Sequence, residues 1–358
     1  MEIKQRLEQL LNQAVEENAF PGAVYAVVTK SKVTKGVVGN REIYPEVVKN
    51  RIDTIYDLAS LTKVICTTTL VMMLIEQGKL RLHDNVNDYI KEFPFNNITI
   101  WNLMTHTSGL PEGISGPKDQ MTSDDICNKI MNLSGLLFEP STKIAYSDLN
   151  YILLGKIIEI VTNTPLDEYA QLALFDPLEM RTACFNPQNK DLCAATEYRD
   201  DLTMKGYVKG SVHDETAYAL GGVAGHAGMF ASIDDLINFC LMILNNGTFK
   251  CKKILSPITV NELFKVQVRE PLGVVVHPKA RCLGWQTKDP ASSAGDLVSE
   301  KTIIHTGFTG TNVFIDQENE IAFILLTNRV HPTRKNLLHL KVRACVANFI
   351  MANIEEFK

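Results

Sequence analysis

The reading turns on residues 60–78, SLTKVICTTTLVMMLIEQG. Their apolar spacing predicts a helix with Ser60 at its start, where unpaired backbone N–H groups can face a developing oxyanion. A serine hydroxyl is a poor nucleophile at neutral pH unless a base takes its proton, and one helical turn brings the Lys63 amine beside it. That lysine must be partly neutral or strongly hydrogen-bonded to help, which burial among residues such as Val64 and Ile65 favours. Residues 64–75 are apolar but interrupted by Cys66, Thr67, Thr68 and Thr69, too short to span a bilayer, and read as a buried helix. Alone, Ser-x-x-Lys also describes a capping serine followed by a surface lysine.

Upstream, residues 1–11 space apolar side chains helically among charges and lack the unbroken apolar run of a secretory signal. Residues 22–28 and 33–38 are rich in β-formers and flank the polar Lys30-Ser31-Lys32, a hairpin pattern. Downstream, helical spacing covers 100–106, 123–132, 149–162 and 233–244, separated by Gly, Pro and Asn clusters. The tail returns to strands at 301–305, 311–316 and 321–327, followed by a helix over roughly 335–356. The expected fold is therefore α+β: an antiparallel sheet flanked by N- and C-terminal helices, plus an α-rich lobe. We expect one catalytic domain of two lobes, about 1–58 with 285–358 and about 59–284.

Two further clusters follow the serine in order, Tyr146-Ser147-Asp148 before a helix and His305-Thr306-Gly307 on a strand. Together they resemble the serine β-lactamase and penicillin-binding protein superfamily, whose signature is Ser-x-x-Lys, Tyr-x-Asn or Ser-x-Asn, then Lys-Thr-Gly. The tyrosine points to the class C β-lactamase-like branch, as does Trp101 to Leu110, which is similar to the family's Leu-Leu-x-His-Thr-Ser-Gly-Leu segment. The resemblance implies acylation of Ser60, activation by Lys63 and proton shuttling by the Tyr146 hydroxyl, with His305 completing the catalytic set. It further implies an oxyanion hole from the backbone N–H groups of Ser60 and Phe308. A phenol needs nearby positive charge to act near neutrality, and Lys63 is the obvious source. Gly307 would let substrate approach the strand closely.

The departures from the signature shift the expected substrate. Asp148 replaces an amide that donates and accepts with a carboxylate that only accepts, so it could bind Lys63, receive a substrate donor, or cap a helix. His305 replaces a fixed cation with an imidazole largely neutral at pH 7, a poor partner for a β-lactam carboxylate. Asp148, Thr306, Gly307, His213 and His226 form the expected substrate-binding set. The stretches 212–215 and 219–228, and the ending Leu326 to Pro332, resemble cell-wall-active members, including D,D-carboxypeptidase-like proteins and N-acetylmuramoyl-L-alanine amidases. His213, Asp214 and His226 could bind sugar or peptide, or merely clamp the loop. A metal on His213, Asp214, Glu215 and His226 is conceivable, but the spacing matches no known scaffold, so no metal and no cofactor are expected. His106 ends a short helix and reads as a loop brace.

Composition narrows the partners. A formal net charge of -5 without basic runs excludes a nucleic-acid surface. Eight cysteines without a Cys-x-x-Cys pair indicate neither a zinc ribbon nor a disulfide framework, and suit a reduced, cytoplasmic setting. The expected function is a serine hydrolase acting through an acyl-enzyme on cell-wall-derived peptides, foremost the lactyl–L-alanine amide of muropeptides. The partner would be a small peptide or muropeptide, with β-lactams as acylating ligands and no stable membrane insertion. Within the same chemistry stand a D,D-carboxypeptidase, a D-aminopeptidase, a short-chain carboxylesterase and a weak β-lactamase. Outside it stands a non-catalytic penicillin-binding module.

Overall fold

A computed structural model describes residues 2–270, 279–290 and 292–358. The helix Ile3–Glu16 turns Ile3, Leu7, Leu11 and Ala14 to one buried face. That spacing is the apolar stripe of an amphipathic helix, each large side chain contributing roughly 1.5–3 kcal/mol when fully buried. The hairpin of Gly22–Thr29 and Val33–Glu42 follows as expected, with Ala23 opposite Val38 and Val28 opposite Val33.

These strands join a nine-stranded antiparallel sheet whose spatial order begins at Val268–Arg269, Ala280–Arg281 and Gln286–Thr287. It continues through Thr302–Thr306, Asn312–Asp316, Ile321–Thr327, Gly22–Thr29 and Val33–Glu42, ending at Val48–Lys49. Side chains alternate across it. Tyr25, Val27, Ile304, Phe314 and Phe323 meet the terminal helices Ile3–Glu16 and His339–Ala352. Val24, Ala26, Ile303, Val313 and Ile324 instead join the large core under the helical region. His305 follows Ile304 and shares the parity of Ile303, which aims it at the helical side.

The expected helices are present as Ile100–Thr105, Ser123–Met131, Asp148–Thr162 and Ile233–Leu244. The closing helix starts at His339 rather than near 335, because Asn336 ties the preceding turn to the backbone carbonyl of Asn18 at 2.6 Å. The middle of the chain is less helical than its spacing suggests. Ala195–Asp200 and Lys205–Lys209 pair as a hairpin, Tyr198 opposite Tyr207, in a stretch too charged to read as strands. Asn328 and His331 bond that hairpin at the carbonyls of Ala195 (3.0 Å) and Thr196 (2.7 Å), anchoring the loop after the last sheet strand. Among the described residues no helix is long and apolar enough to cross a membrane.

Candidate active site

Ser60 sits on a tense turn. Tyr56–Asp57 pairs with Met229–Ala231, and the fully buried Asp57 carboxylate accepts the N–H of Ala59 (2.8 Å) and of His213 (2.6 Å). Ala59 has φ of +47°. A side chain there costs on the order of 1–3 kcal/mol, which the surrounding hydrogen bonds must offset. The Thr62 hydroxyl closes the turn onto the Ala59 carbonyl at 2.7 Å.

After the turn the chain forms a π-helical segment, Lys63–Thr68, before the regular helix Thr69–Glu76. All of Lys63 is buried. Its Nζ lies 3.0 Å from Ser60 Oγ, 2.9 Å from the His226 carbonyl and 2.7 Å from Asp148 Oδ1. Burial alone would pull the ammonium down, but Asp148 first and Tyr146 second push its pKa above the usual lysine value. The lysine is therefore a charged partner of Asp148, satisfying the expectation of strong hydrogen bonding rather than that of a neutral amine. Tyr146 is raised above an ordinary phenol by burial, with Lys63 opposing and Asp148 adding, and the Lys63 ammonium lies 5.0 Å from the centre of its ring. Asp148 does not cap its helix. Ser147 holds the capping position, with its hydroxyl turned to the Pro111 carbonyl at 2.6 Å, and Asp148 opens the first turn.

Two histidines pack around Tyr146. His106, in a left-handed conformation at its helix end, accepts the Ser147 N–H on Nδ1 (3.1 Å) and stacks 4.5 Å from the Tyr146 ring. It braces the loop, as its place in the sequence implied. Buried His305 lies 6.1 Å from Tyr146, ring to ring, and its Nδ1 donates to the Thr306 carbonyl at 3.0 Å. Burial, then Arg281 and Lys63, hold His305 well below the normal histidine range, so it is neutral. Arg281 itself lies 5.8 Å over the Tyr146 ring.

The sheet supplies the other wall. The hydroxyls of Thr309 and Thr311 bond the carbonyls of Asp57 (2.7 Å) and Leu58 (3.0 Å), stitching the strand end to the nucleophile turn. A Cβ on Gly307 would lie 2.4 Å from the Leu58 carbonyl oxygen and 2.1 Å from Thr311 Oγ1. This backbone contact by itself requires glycine at the position. Thr306 is half-buried at the end of its strand, opposite Asn312. Among the described residues, neither the Ser60 nor the Phe308 N–H is taken by a protein acceptor. A cavity of about 150 Å³ opens beside them, lined by Ser60, His213, Glu215, Phe308 and Arg334 among others.

His213 and His226 differ from the expected substrate contacts. His226 is fully buried, with Nε2 2.9 Å from Asp214 Oδ1, and serves the site through the carbonyl that holds Lys63. His213 shows an edge to the cavity, but its Nε2 is 3.1 Å from Glu197, which also pairs with Arg334. The clamp is tightened where Gly225 meets the helix Asp148–Thr162, because a Cβ there would fall 2.1 Å from the Tyr151 carbonyl oxygen. The groups that come together as metal donors are Asp148, Asp214 and His226, within 4.8 Å, rather than a set with His213 and Glu215. Lys63 already stands beside Asp148 as a cation.

Sequence reasoning passed over Asp57, Glu197, Arg281, Arg334 and Arg343, and took in Arg329 only as part of the ending 326–332, without a role. Arg329 lies 4.4 Å over the Phe308 ring and donates to the Phe308 carbonyl at 2.8 Å; Arg343 donates to the Gly307 carbonyl at 3.2 Å. Asp57, three residues before the serine, carried the nearest local signal. Arg281, Arg334 and Arg343 come from distant segments and look like ordinary surface charges in the sequence.

A serine beside a buried lysine and a half-buried tyrosine, set between a helical wall and a sheet wall, defines a serine hydrolase. The β-lactamase family model matches residues 7–348, and the chain belongs to that family. Relatives from Salmonella heidelberg (strain SL476) and Salmonella typhimurium, each named "Putative D-alanyl-D-alanine carboxypeptidase", are 32% identical over 312 residues, covering 78% of this chain and 70% of theirs. Among solved structures, a penicillin-binding protein homologue from Caulobacter crescentus has a TM-score of 0.77 at 16% identity, covering 98% of each chain. "EstCE1, a hydrolase with promiscuous acyltransferase activity" has a TM-score of 0.76 at 21% identity, covering 96% of this chain and 98% of that one. At these identities the structural likenesses establish the fold.

Proposed function

We propose that the protein cleaves an amide in cell-wall-derived peptides through an acyl-enzyme at Ser60, foremost the lactyl–L-alanine bond of muropeptides. The observation that carries the chemistry is the buried Lys63 ammonium held between Ser60 Oγ and Asp148. When substrate covers the pair, Lys63 passes a proton to Asp148 and takes the proton of Ser60 as Oγ attacks the carbonyl. The Ser60 and Phe308 N–H groups receive the oxyanion. Tyr146 protonates the leaving nitrogen and is reprotonated by Lys63. Water then attacks the acyl carbon and gives its proton to the Tyr146–Lys63–Asp148 chain, which returns a proton to Ser60 Oγ as the acyl–Oγ bond breaks, restoring the Lys63 ammonium and the Asp148 carboxylate.

The neutral His305 supports an internal amide over a bond beside a terminal carboxylate, since an imidazole without charge offers little to an anion. The names of the Salmonella relatives favour a second reading, release of a terminal D-alanine. Eight unpaired cysteines, Cys66, Cys193, Cys240 and Cys282 buried among them, support action in a reducing compartment on soluble wall fragments. Mass analysis of N-acetylmuramoyl-peptides after incubation separates the readings: free peptide supports the amidase, free D-alanine the carboxypeptidase. Neither product, with no acylation of Ser60 by a fluorophosphonate, would leave only a binding module.

A further inference from the structure

The turn carrying the Phe308 N–H is gripped by an arginine from the far end of the chain. Arg343, on the helix His339–Ala352, is 4% exposed, and its Nη2 lies 3.2 Å from the Gly307 carbonyl and 3.3 Å from the Thr311 carbonyl. The Gly307 carbonyl and the Phe308 N–H belong to one peptide unit. That carbonyl already accepts the Gly310 N–H at 3.0 Å, so Arg343 provides its second hydrogen bond. A donor on a carbonyl draws electron density through the planar amide and makes its N–H a stronger donor, more so when the partner is cationic and water is excluded.

The charge is otherwise costly to keep there. Among the described residues Arg343 has no carboxylate partner, its Nε finds no acceptor, and the neighbouring Arg329 repels it. Burial and Arg329 pull its guanidinium down to about 9, which still leaves it cationic at neutral pH. A neutral side chain could fill this space without that desolvation.

We propose that Arg343 is a positioning residue for catalysis: bonded to the Gly307 carbonyl, it polarises the Gly307–Phe308 peptide so that the Phe308 N–H binds the oxyanion more tightly. The inference rests on the reading of Ser60 and Phe308 as nucleophile and oxyanion donor. Because the negative oxygen exists only in the transition state and the tetrahedral intermediate, the effect belongs in kcat rather than in KM.

The test compares wild type, Arg343→Gln and Arg343→Lys in the full chain, using a nitrophenyl ester and an aryl boronic acid that forms a tetrahedral anion on the serine. In Arg343→Gln, kcat should fall roughly tenfold with KM within about twofold, and boronate affinity should fall by the same factor. Arg343→Lys should recover most of both losses. A folded Gln variant with unchanged boronate affinity, or a loss confined to KM, overturns the proposal. If the Gln variant does not melt cooperatively, the Lys variant decides: parallel small losses in kcat and boronate affinity support the proposal, and a loss in kcat alone overturns it. Fluorophosphonate labelling of wild type at Ser60 keeps the outcomes separate. Its failure defeats the hydrolase reading, whereas normal labelling with unaltered boronate affinity defeats only the role of Arg343.

Discussion

On the helical wall of the cleft, charge is concentrated and balanced: Lys63 and Asp148 meet at 2.7 Å beside the nucleophile. On the sheet wall, His305 is neutral beneath the buried Arg281 that lies over the Tyr146 ring, and two further cations, Arg329 and Arg343, are bonded to the Phe308 and Gly307 carbonyls behind the backbone. In the proposed mechanism one wall moves protons and the other presents a polarised backbone. A lysine in place of His305 would be a third cation, facing both Arg281 and Lys63. The contrast explains how the third signature motif can lose its lysine while the first keeps its own.

Removing the nucleophile should give the largest effect. Ser60→Ala is expected to lower turnover by roughly 10⁴-fold or more and to abolish fluorophosphonate labelling, read by intact mass. Residual turnover near wild type would break the assignment of that wall.

Making the sheet wall resemble the helical one should be damaging. His305→Lys places a third cation in a buried site already facing Arg281 and Lys63, and is expected to cost about 3 kcal/mol in urea denaturation without yielding efficient nitrocefin hydrolysis. Unaltered stability together with fast β-lactam turnover would show that the wall tolerates the charge.

Discharging the helical wall tests the ion pair. In Asp148→Asn the carboxylate that raises Lys63 is gone, so burial prevails and the lysine pKa falls. The ascending limb of the pH–rate profile should then move to lower pH, with a maximal rate reduced by about tenfold. A limb that stays in place would remove Asp148 from the proton path.

The smallest effect lies behind His213. Burial raises the Glu197 carboxyl, but His213 and Arg334 prevail and hold it near about 2, below its ordinary 4.5. Its stabilisation is complete above about pH 4.5 and is lost as pH falls towards 2. Glu197→Gln should therefore cost about 1–2 kcal/mol at pH 7, and the gap in urea midpoint should narrow as pH falls from about 4.5 towards 2. A constant gap across that range would mean the loss is one of packing.

Much of the architecture was legible because it rests on local periodicity. The strand Ile321–Thr327 and the helix Ile233–Leu244 lie where alternation and helical spacing put them. The hairpin at 195–209 was not legible, since Glu197, Arg199 and Asp200 resemble loop composition until Asn328 and His331 bond the hairpin from across the fold. In the candidate site, Ser60, Lys63, Tyr146 and His305 stood out as types in order. The position of Asp148 left three roles open; its distance to Lys63 shows the ion pair, and Ser147 at the capping position removes the cap. His226 could be read as a ligand until its side chain was found wholly buried against Asp214.

What the sequence by itself determined is the chemistry available: a hydroxyl, an amine one turn away, a phenol and an imidazole, on elements whose periodicity specifies helix or strand. What only the tertiary structure decided is the charge state of those groups and the carbonyls they meet. Ionisation depends on burial and on neighbours a few ångströms away, and those neighbours, Asp148 for Lys63, Arg281 for His305 and Arg343 for the Gly307 peptide, come from segments far apart in the chain.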